Sequence, residues 1–220
     1  MKVGTDGVLL GAWARVEHCR HILDMGTGTG LVALMAAQRS EAHIVAIDLD
    51  AEAVAQATDN VAASPWKERI QVLEADARNL EFKIQNSEFL FDSILCNPPF
   101  FENALKCPDA QRTMARHTDT LTFDELARSA ARLLAPEGEL SVVIPHDRTH
   151  DMTVSCACHG LFATRQTIVV PVEGGKPKRI LMAFTREGAA HTPATLCIQD
   201  KQRQHTPEYV RLVEDFYLKM

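Results

Sequence analysis

Residues 21–39, HILDMGTGTGLVALMAAQR, constrain the fold more than any other stretch of the chain. A short, largely apolar run meets three glycines at alternate positions, Gly26, Gly28 and Gly30, and apolar residues at helical spacing follow at once. Glycine permits a tight strand-to-helix turn and lets a ligand approach the backbone. The stretch therefore reads as strand, turn and helix, and the same alternation continues. HIVAIDLD (43–50) reads as a second strand and AEAVAQATDNVAAS (51–64) as an Ala-rich helix ending before Pro65. IQVLEAD (70–76) and FDSILCN (91–97) are a third and fourth strand. TFDELARSAARLLAPEG (122–138) predicts a helix with Thr122 as N-cap and Glu125 three residues on. ELSVVIP (139–145) is a fifth strand, followed by a helix near 148–159 and two longer strands around 162–172 and 179–186. A short strand at 195–198 and a helix at 207–219 complete the chain.

Strands that are apolar on both faces and alternate with helices need cover on both sides. The expected fold is α/β: a mostly parallel seven-stranded sheet with helices on both faces. The turn EGGKPKR (173–179) is short, so the last two long strands should form an antiparallel C-terminal edge hairpin. No linker interrupts the pattern, and residues 1–220 read as a single domain.

Composition removes several function classes. No apolar run approaches the ~18 residues of a membrane span, and the N-terminus MKVGTDGVLLGAWAR lacks a signal-peptide layout. The expectation is a cytoplasmic protein with no membrane partner. The six cysteines form no CxxC pair, and Cys156-Ala-Cys158 has no matching His/Cys pair, so no metal site is expected. A net charge of −6 argues against a uniformly basic nucleic-acid binder but leaves room for a local basic patch.

A dinucleotide fingerprint, GxGxxG, would need glycine where Leu31 stands, so the loop points to a different nucleoside ligand. Asp48 ends the second strand, where a carboxylate can accept from both ribose hydroxyls; Asp50 is better placed to cap the next helix. Asp76 ends the third strand. In an open α/β sheet the ligand lies at the carboxyl ends of the strands. Asp24, Asp48, Asp76 and the glycine loop therefore converge on one edge, and CNPPFF (96–101) follows the fourth strand there.

LDMGTGTG, AIDLD, EADA and NPPF together resemble the class I methyltransferases that use S-adenosyl-L-methionine. Within that class, KVGTDGVLLGAWA, NVAASPWKERIQV, NPPFF and EDFYL resemble the bacterial tRNA1(Val) adenine-N6 methyltransferase family over almost the whole chain. The resemblance implies a Rossmann-like methyltransferase domain. It places Lys2, Thr5 and Asp6 beside the methionine end of the cofactor, with Asp24, Gly26, Gly28 and Gly30 lining it. It gives Asp48 and Leu49 the ribose, Asp76 and Ala77 the adenine, and Asn97, Pro98, Pro99 and Phe100 the target base, with Asn97 also facing the cofactor. The implied substrate is a tRNA, at adenine 37 of the anticodon loop. A monomer is favoured. Two features depart from the family. Phe100 stands where tyrosine is common, which keeps stacking but removes a phenol hydrogen bond. Family members also usually carry a segment with aromatic and basic positions before the Met-Lys-Val-Gly-Thr-Asp stretch at which this sequence begins. The expectation is a domain without that extension, with pocket closure and part of RNA binding affected.

The chemistry fits the motif. An exocyclic adenine amine is a poor nucleophile because its lone pair is delocalised into the ring. The Asn97 side-chain oxygen and the Pro98 carbonyl could accept its two N–H groups, and the prolines would hold these acceptors in place. Phe100 offers a stacking face worth ~1–3 kcal/mol. No general base need act before transfer, so positioning and electrostatics carry the rate. Arg112, Arg116, Lys176, Lys178 and Arg179 are candidate phosphate contacts, although each reads equally as part of a solvated charged turn. Other readings stay open. Guanine-N2 rRNA methyltransferases use NPPF, and glutamine-N5 protein methyltransferases use NPPY. Outside methyl transfer, the chain could be a nucleoside-binding module or an NAD-dependent oxidoreductase, the latter disfavoured by Leu31.

Overall fold

The computed structural model describes residues 4–82, 90–98 and 121–218. Eight strands form one sheet: β1 (His21–Met25), β2 (His43–Asp48), β3 (Ile70–Glu74), β4 (Phe91–Cys96), β5 (Leu134–Pro145), β6 (Phe162–Val172), β7 (Arg179–Thr185) and β8 (Ala194–Gln199). Their order is β3-β2-β1-β4-β5-β7-β6-β8. Every neighbouring pair is parallel except those made by β7, which runs against both β5 and β6.

Strand periodicity explains the continuously apolar strands. Ile22, Ile44, Ala46, Leu95, Val143 and Leu181 enter one core cluster, while Leu23, Ile47, Ile94, Val142 and Met182 enter the other. The first cluster is covered by α1 (Thr5–Trp13), α2 (Leu31–Arg39), α3 (Ala51–Ala62) and α6 (Pro207–Val213). The second is covered by α4 (Phe123–Leu133) and α5 (Thr149–Cys158). Helices thus lie on both faces.

Several boundaries differ from the sequence expectation. Among the described residues the sheet has eight strands rather than seven, because the short tail strand pairs in parallel with β6. The β6–β7 hairpin forms as expected, but β7 is interior and β8 covers the open edge of β6, removing a row of unpaired backbone groups. The helix at 122–138 stops at Leu133 and β5 begins at Leu134. Pro136 cannot continue a helix; residues 135–138 instead bulge within β5, since Phe91 pairs with Leu134 and Ser93 with Glu139. The capping box is present: Thr122 Oγ1 accepts from Glu125 N, and Glu125 accepts from Thr122 N. The last helix ends at Val213 and tightens into a 3₁₀ turn, Glu214–Phe216.

The α1 helix is absent from the sequence reading. Two interior glycines lower its propensity, yet Val8, Leu9 and Leu10 are buried, so packing decides. Trp13 ties it to β6: its Nε1 donates to Thr167 Oγ1 at 2.9 Å, and the Arg165 guanidinium lies 3.5 Å from the Trp13 ring centroid.

Candidate active site

The glycine loop closes over the end of β2. The amides of Gly26 and Thr27 both donate to Ile47 O at 2.9 Å. Gly28 N donates to Asp48 Oδ2 at 2.9 Å, and Asp48 Oδ1 accepts from Asp50 N at 3.1 Å. Each Asp48 oxygen keeps a further lone pair, so the carboxylate is oriented by backbone without being exhausted. Asp50 caps α3 by accepting from Glu52 N, as the sequence suggests. Gly26 (φ 73°) and Gly30 (φ 80°) occupy the left-handed region, where a side chain is strained.

Asp24 lies beneath this loop and is only 1% exposed. It accepts from Thr27 Oγ1 at 2.6 Å and Ala33 N at 3.1 Å. Burial raises its pKa to about 6, against the lowering effect of those two hydrogen bonds, and the nearby Asp48 charge adds to the rise. Thr27 is a member of the site that the sequence reading misses. Only its place inside the glycine loop signals it.

A cavity of about 120 Å³ opens beside the loop. Gly26, Asp48, Leu49, Asp76, Ala77 and Pro98, all named from sequence, line it together. Its floor is Met25, Ile47, Ala75 and Cys96. Burial, reinforced by the Asp24 and Asp48 charges, pushes the Cys96 thiol far up, so it offers no thiolate nucleophile. Arg78 and Leu121 complete the wall and are new. Arg78 grips Asp76: its Nε donates to both carboxylate oxygens, at 2.9 and 2.8 Å, and its own amide donates to Oδ1 at 2.9 Å. Arg78 Nη1 also stands 3.5 Å from Glu125 Oε1, which joins the wall to the α4 cap. Partial burial pushes Asp76 up, but the Arg78 hydrogen bonds and charge outweigh it and hold the carboxyl below its usual range. The signal for Arg78 was an arginine two residues after a strand-ending aspartate.

Asn97 and Pro98 follow β4 directly at the carboxyl edge, Asn97 half-buried and Pro98 buried. Thr5 and Asp6 begin α1. Arg179, at the start of β7, donates from Nε to Asp6 Oδ2 at 2.8 Å. The structure thus pairs two residues that the sequence reading assigns to different ligands, the cofactor and RNA. Lys176 and Lys178 are exposed in the β6–β7 turn. Lys2, Pro99, Phe100, Phe101, Arg112 and Arg116 lie outside the described residues. Among the described residues, no group of three or more His, Cys, Asp or Glu is arranged to hold a metal ion, and no helix is long and apolar enough to cross a membrane.

A glycine loop, Asp48 at the end of β2, Asp76 just past β3 and Pro98 around one cavity, at the carboxyl edge of this sheet, fit a class I methyltransferase. Residues 5–159 match the methyltransferase small domain family. A predicted O-methyltransferase from Agrobacterium tumefaciens shares the fold, with a TM-score of 0.70 over 96% of each chain at 21% identity. The chain is 50% identical over its full length to the tRNA1(Val) (adenine(37)-N6)-methyltransferase of Phocaeicola vulgatus, covering 92% of that protein. It is 47% identical to the protein of that name from Bacteroides thetaiotaomicron, at the same coverage. The chain belongs to the tRNA1(Val) (adenine(37)-N6)-methyltransferase family.

Proposed function

We propose that this protein transfers a methyl group from S-adenosyl-L-methionine to N6 of adenine 37 in tRNA1(Val), in the cytoplasm. The observation that carries the reading is that Pro98, from the Asn-Pro-Pro-Phe motif, shares one cavity wall with Asp48, Asp76 and the glycine loop. The cavity residues suit a nucleoside. Nothing lies within 4 Å of the place a Cβ would take on Gly26, so the backbone offers an open cradle. Asp48 would hold ribose hydroxyls, and Leu49 and Ala77 would flank the adenine ring. When bound, the cofactor supplies an electrophilic methyl group on a sulfonium. Asn97 and the Pro98 carbonyl accept from the target amine and localise its lone pair, and the consecutive prolines hold them there. Phe100 is assigned the stacking face. Localising and orienting the amine is the contribution asked of the protein, and no side chain need remove a proton first.

Incubation with tritiated S-adenosyl-L-methionine and tRNA lacking modifications, followed by digestion to nucleosides, tests the assignment. The expected label is in N6-methyladenosine. Label in N2-methylguanosine would move the protein to the guanine-N2 class, and labelled protein with unlabelled RNA would favour a glutamine substrate.

A further inference from the structure

A second pocket, of about 450 Å³, sits beneath the turn after β8, and of its lining residues only Thr5 is assigned to the cofactor from sequence. We propose that this pocket and turn form an RNA subsite for one unpaired nucleotide flanking the methylated base. The base enters among His205, Tyr209 and Tyr217, and its phosphate meets Lys201 and Arg203. The inference rests on the reading above that the substrate is RNA.

The fold places the pocket on the catalytic edge. β6 and β8 run in the same direction as β1, so Pro171 and Gln199, which line the pocket, lie at the carboxyl ends of their strands. Thr5, also in the lining, is adjacent to Asp6. The volume is ample for a base and within the range of small-molecule sites. His205 and Tyr217 are exposed on its walls, while Tyr209, only 4% exposed, forms its base. The His205 and Tyr209 rings lie 5.1 Å apart at 55°, and Tyr217 is 39% exposed. Aromatic faces of this kind stack on any base.

The two turns at this corner carry more cations than acids, against a charge of −6 for the whole chain. Glu173 N donates to Gln199 O at 2.8 Å, stitching the β6–β7 turn to the turn after β8. Lys176, Lys178, Lys201 and Arg203 are thus brought to neighbouring turns, all exposed. Glu173 and Asp200 are the acids on these turns, and Asp200 Oδ1 is already engaged by Gln202 N and Gln204 N, each at 2.9 Å. Those bonds fix the turn and set Arg203 at φ 65°, a left-handed backbone. Glu208, paired with Arg211, and Glu214 and Asp215 flank the lining tyrosines. Four cations beside an aromatic pocket suit the phosphate and base of a single strand.

The test is equilibrium binding of an unmodified anticodon stem-loop RNA across a salt series. Two double variants on exposed side chains, Lys201→Glu with Arg203→Glu and His205→Ala with Tyr217→Ala, are compared with Lys67→Glu at the far edge. The charge pair should weaken binding about tenfold or more and reduce the salt slope by about 1.4, the value for two phosphates on a single strand. The aromatic pair should weaken binding about tenfold with an unchanged slope, and an abasic flanking nucleotide should erase its difference from wild type. S-adenosylhomocysteine binding should be unchanged in each, which reports an intact fold. RNA affinity within twofold of wild type in both variants, or an equal loss in Lys67→Glu, overturns the subsite. A wild-type protein that binds no RNA instead overturns the function reading on which the subsite depends.

Discussion

At the β1–β3 end of the carboxyl edge, acidic groups are engaged before any ligand arrives. Asp24 is buried under the glycine loop, both Asp48 oxygens accept backbone amides, and Asp76 is held by Arg78. At the β6–β8 end, Lys176, Lys178, Lys201 and Arg203 stand in solvent on turns. The first arrangement is rigid and suits one small ligand of fixed shape. The second keeps charge mobile on long side chains and suits a polymer whose phosphates vary in position. Fixed groups set geometry, which methyl transfer needs, and exposed cations set affinity, which a long anion needs.

Four experiments probe that division. Asn97→Ala should lower single-turnover methyl transfer by about 10²–10³-fold, the usual effect of removing one preorganised hydrogen-bonding group. Its S-adenosylhomocysteine affinity should stay within twofold by calorimetry. Wild-type turnover would move the chemistry away from the rigid end altogether.

Asp24→Asn addresses the buried acid. The folded pKa of Asp24, about 6, lies above the unfolded carboxylate value near 4. The native state therefore holds the extra proton between those values, and stability falls as pH rises from about 4 to about 6, then stays level. Asp76 and Glu125, held below the usual range, act oppositely: their stabilisation is present above the unfolded value and is lost as pH falls below it. Asp24→Asn should flatten the decline, a difference of about 2–3 kcal/mol across the window in urea unfolding. An unchanged pH profile would show that the carboxyl is not strained by its burial.

Asp48→Ala sharpens the contrast. Cofactor affinity should fall about ten- to a hundredfold, since charge-assisted hydrogen bonds are lost, while stem-loop RNA affinity stays within twofold. A parallel loss of RNA affinity would join the two ends of the edge into one site. The smallest effect is expected at the boundary between them, from Asp6 and Arg179. A double-mutant cycle on Asp6→Ala and Arg179→Ala should give a coupling of about 0.5–1 kcal/mol, as for other partly exposed ion pairs. A large loss of RNA binding in Arg179→Ala alone would return that residue to the RNA side.

What could be read in advance followed sequence locality. β1, the glycine loop and α2 are contiguous, so their pattern is complete within residues 21–39. Asp48, the last residue of β2, is legible because a strand end is a local event and the parallel sheet aligns all such ends; Asp76, expected to end the third strand, lies two residues past β3 on the same edge. Thr122 with Glu125 likewise declared itself as a cap. The failures are non-local. Asp6 and Arg179 are 173 positions apart, and only the folded sheet brings them together. β8 joins the sheet through its register with β6, Thr195 opposite Ile168, which no short window contains. The α1 helix was hidden because its glycines weaken the local signal, while the burial that overrides them comes from α2 and α6. Arg78 was missed because an arginine after a strand commonly faces water.

The glycine motif divides on close inspection. A Cβ on Gly26 would project into empty space beside the cavity, whereas one on Gly30 would meet Ala57 of α3 at 3.4 Å. Gly30 is held at φ 80° as the N-cap of α2, and its neighbour is protein. A side chain at either position is strained by the left-handed backbone, φ 73° at Gly26 and φ 80° at Gly30. What the missing side chain leaves behind differs: at position 26 it is room for a ligand, and at position 30 it is contact between the loop and α3.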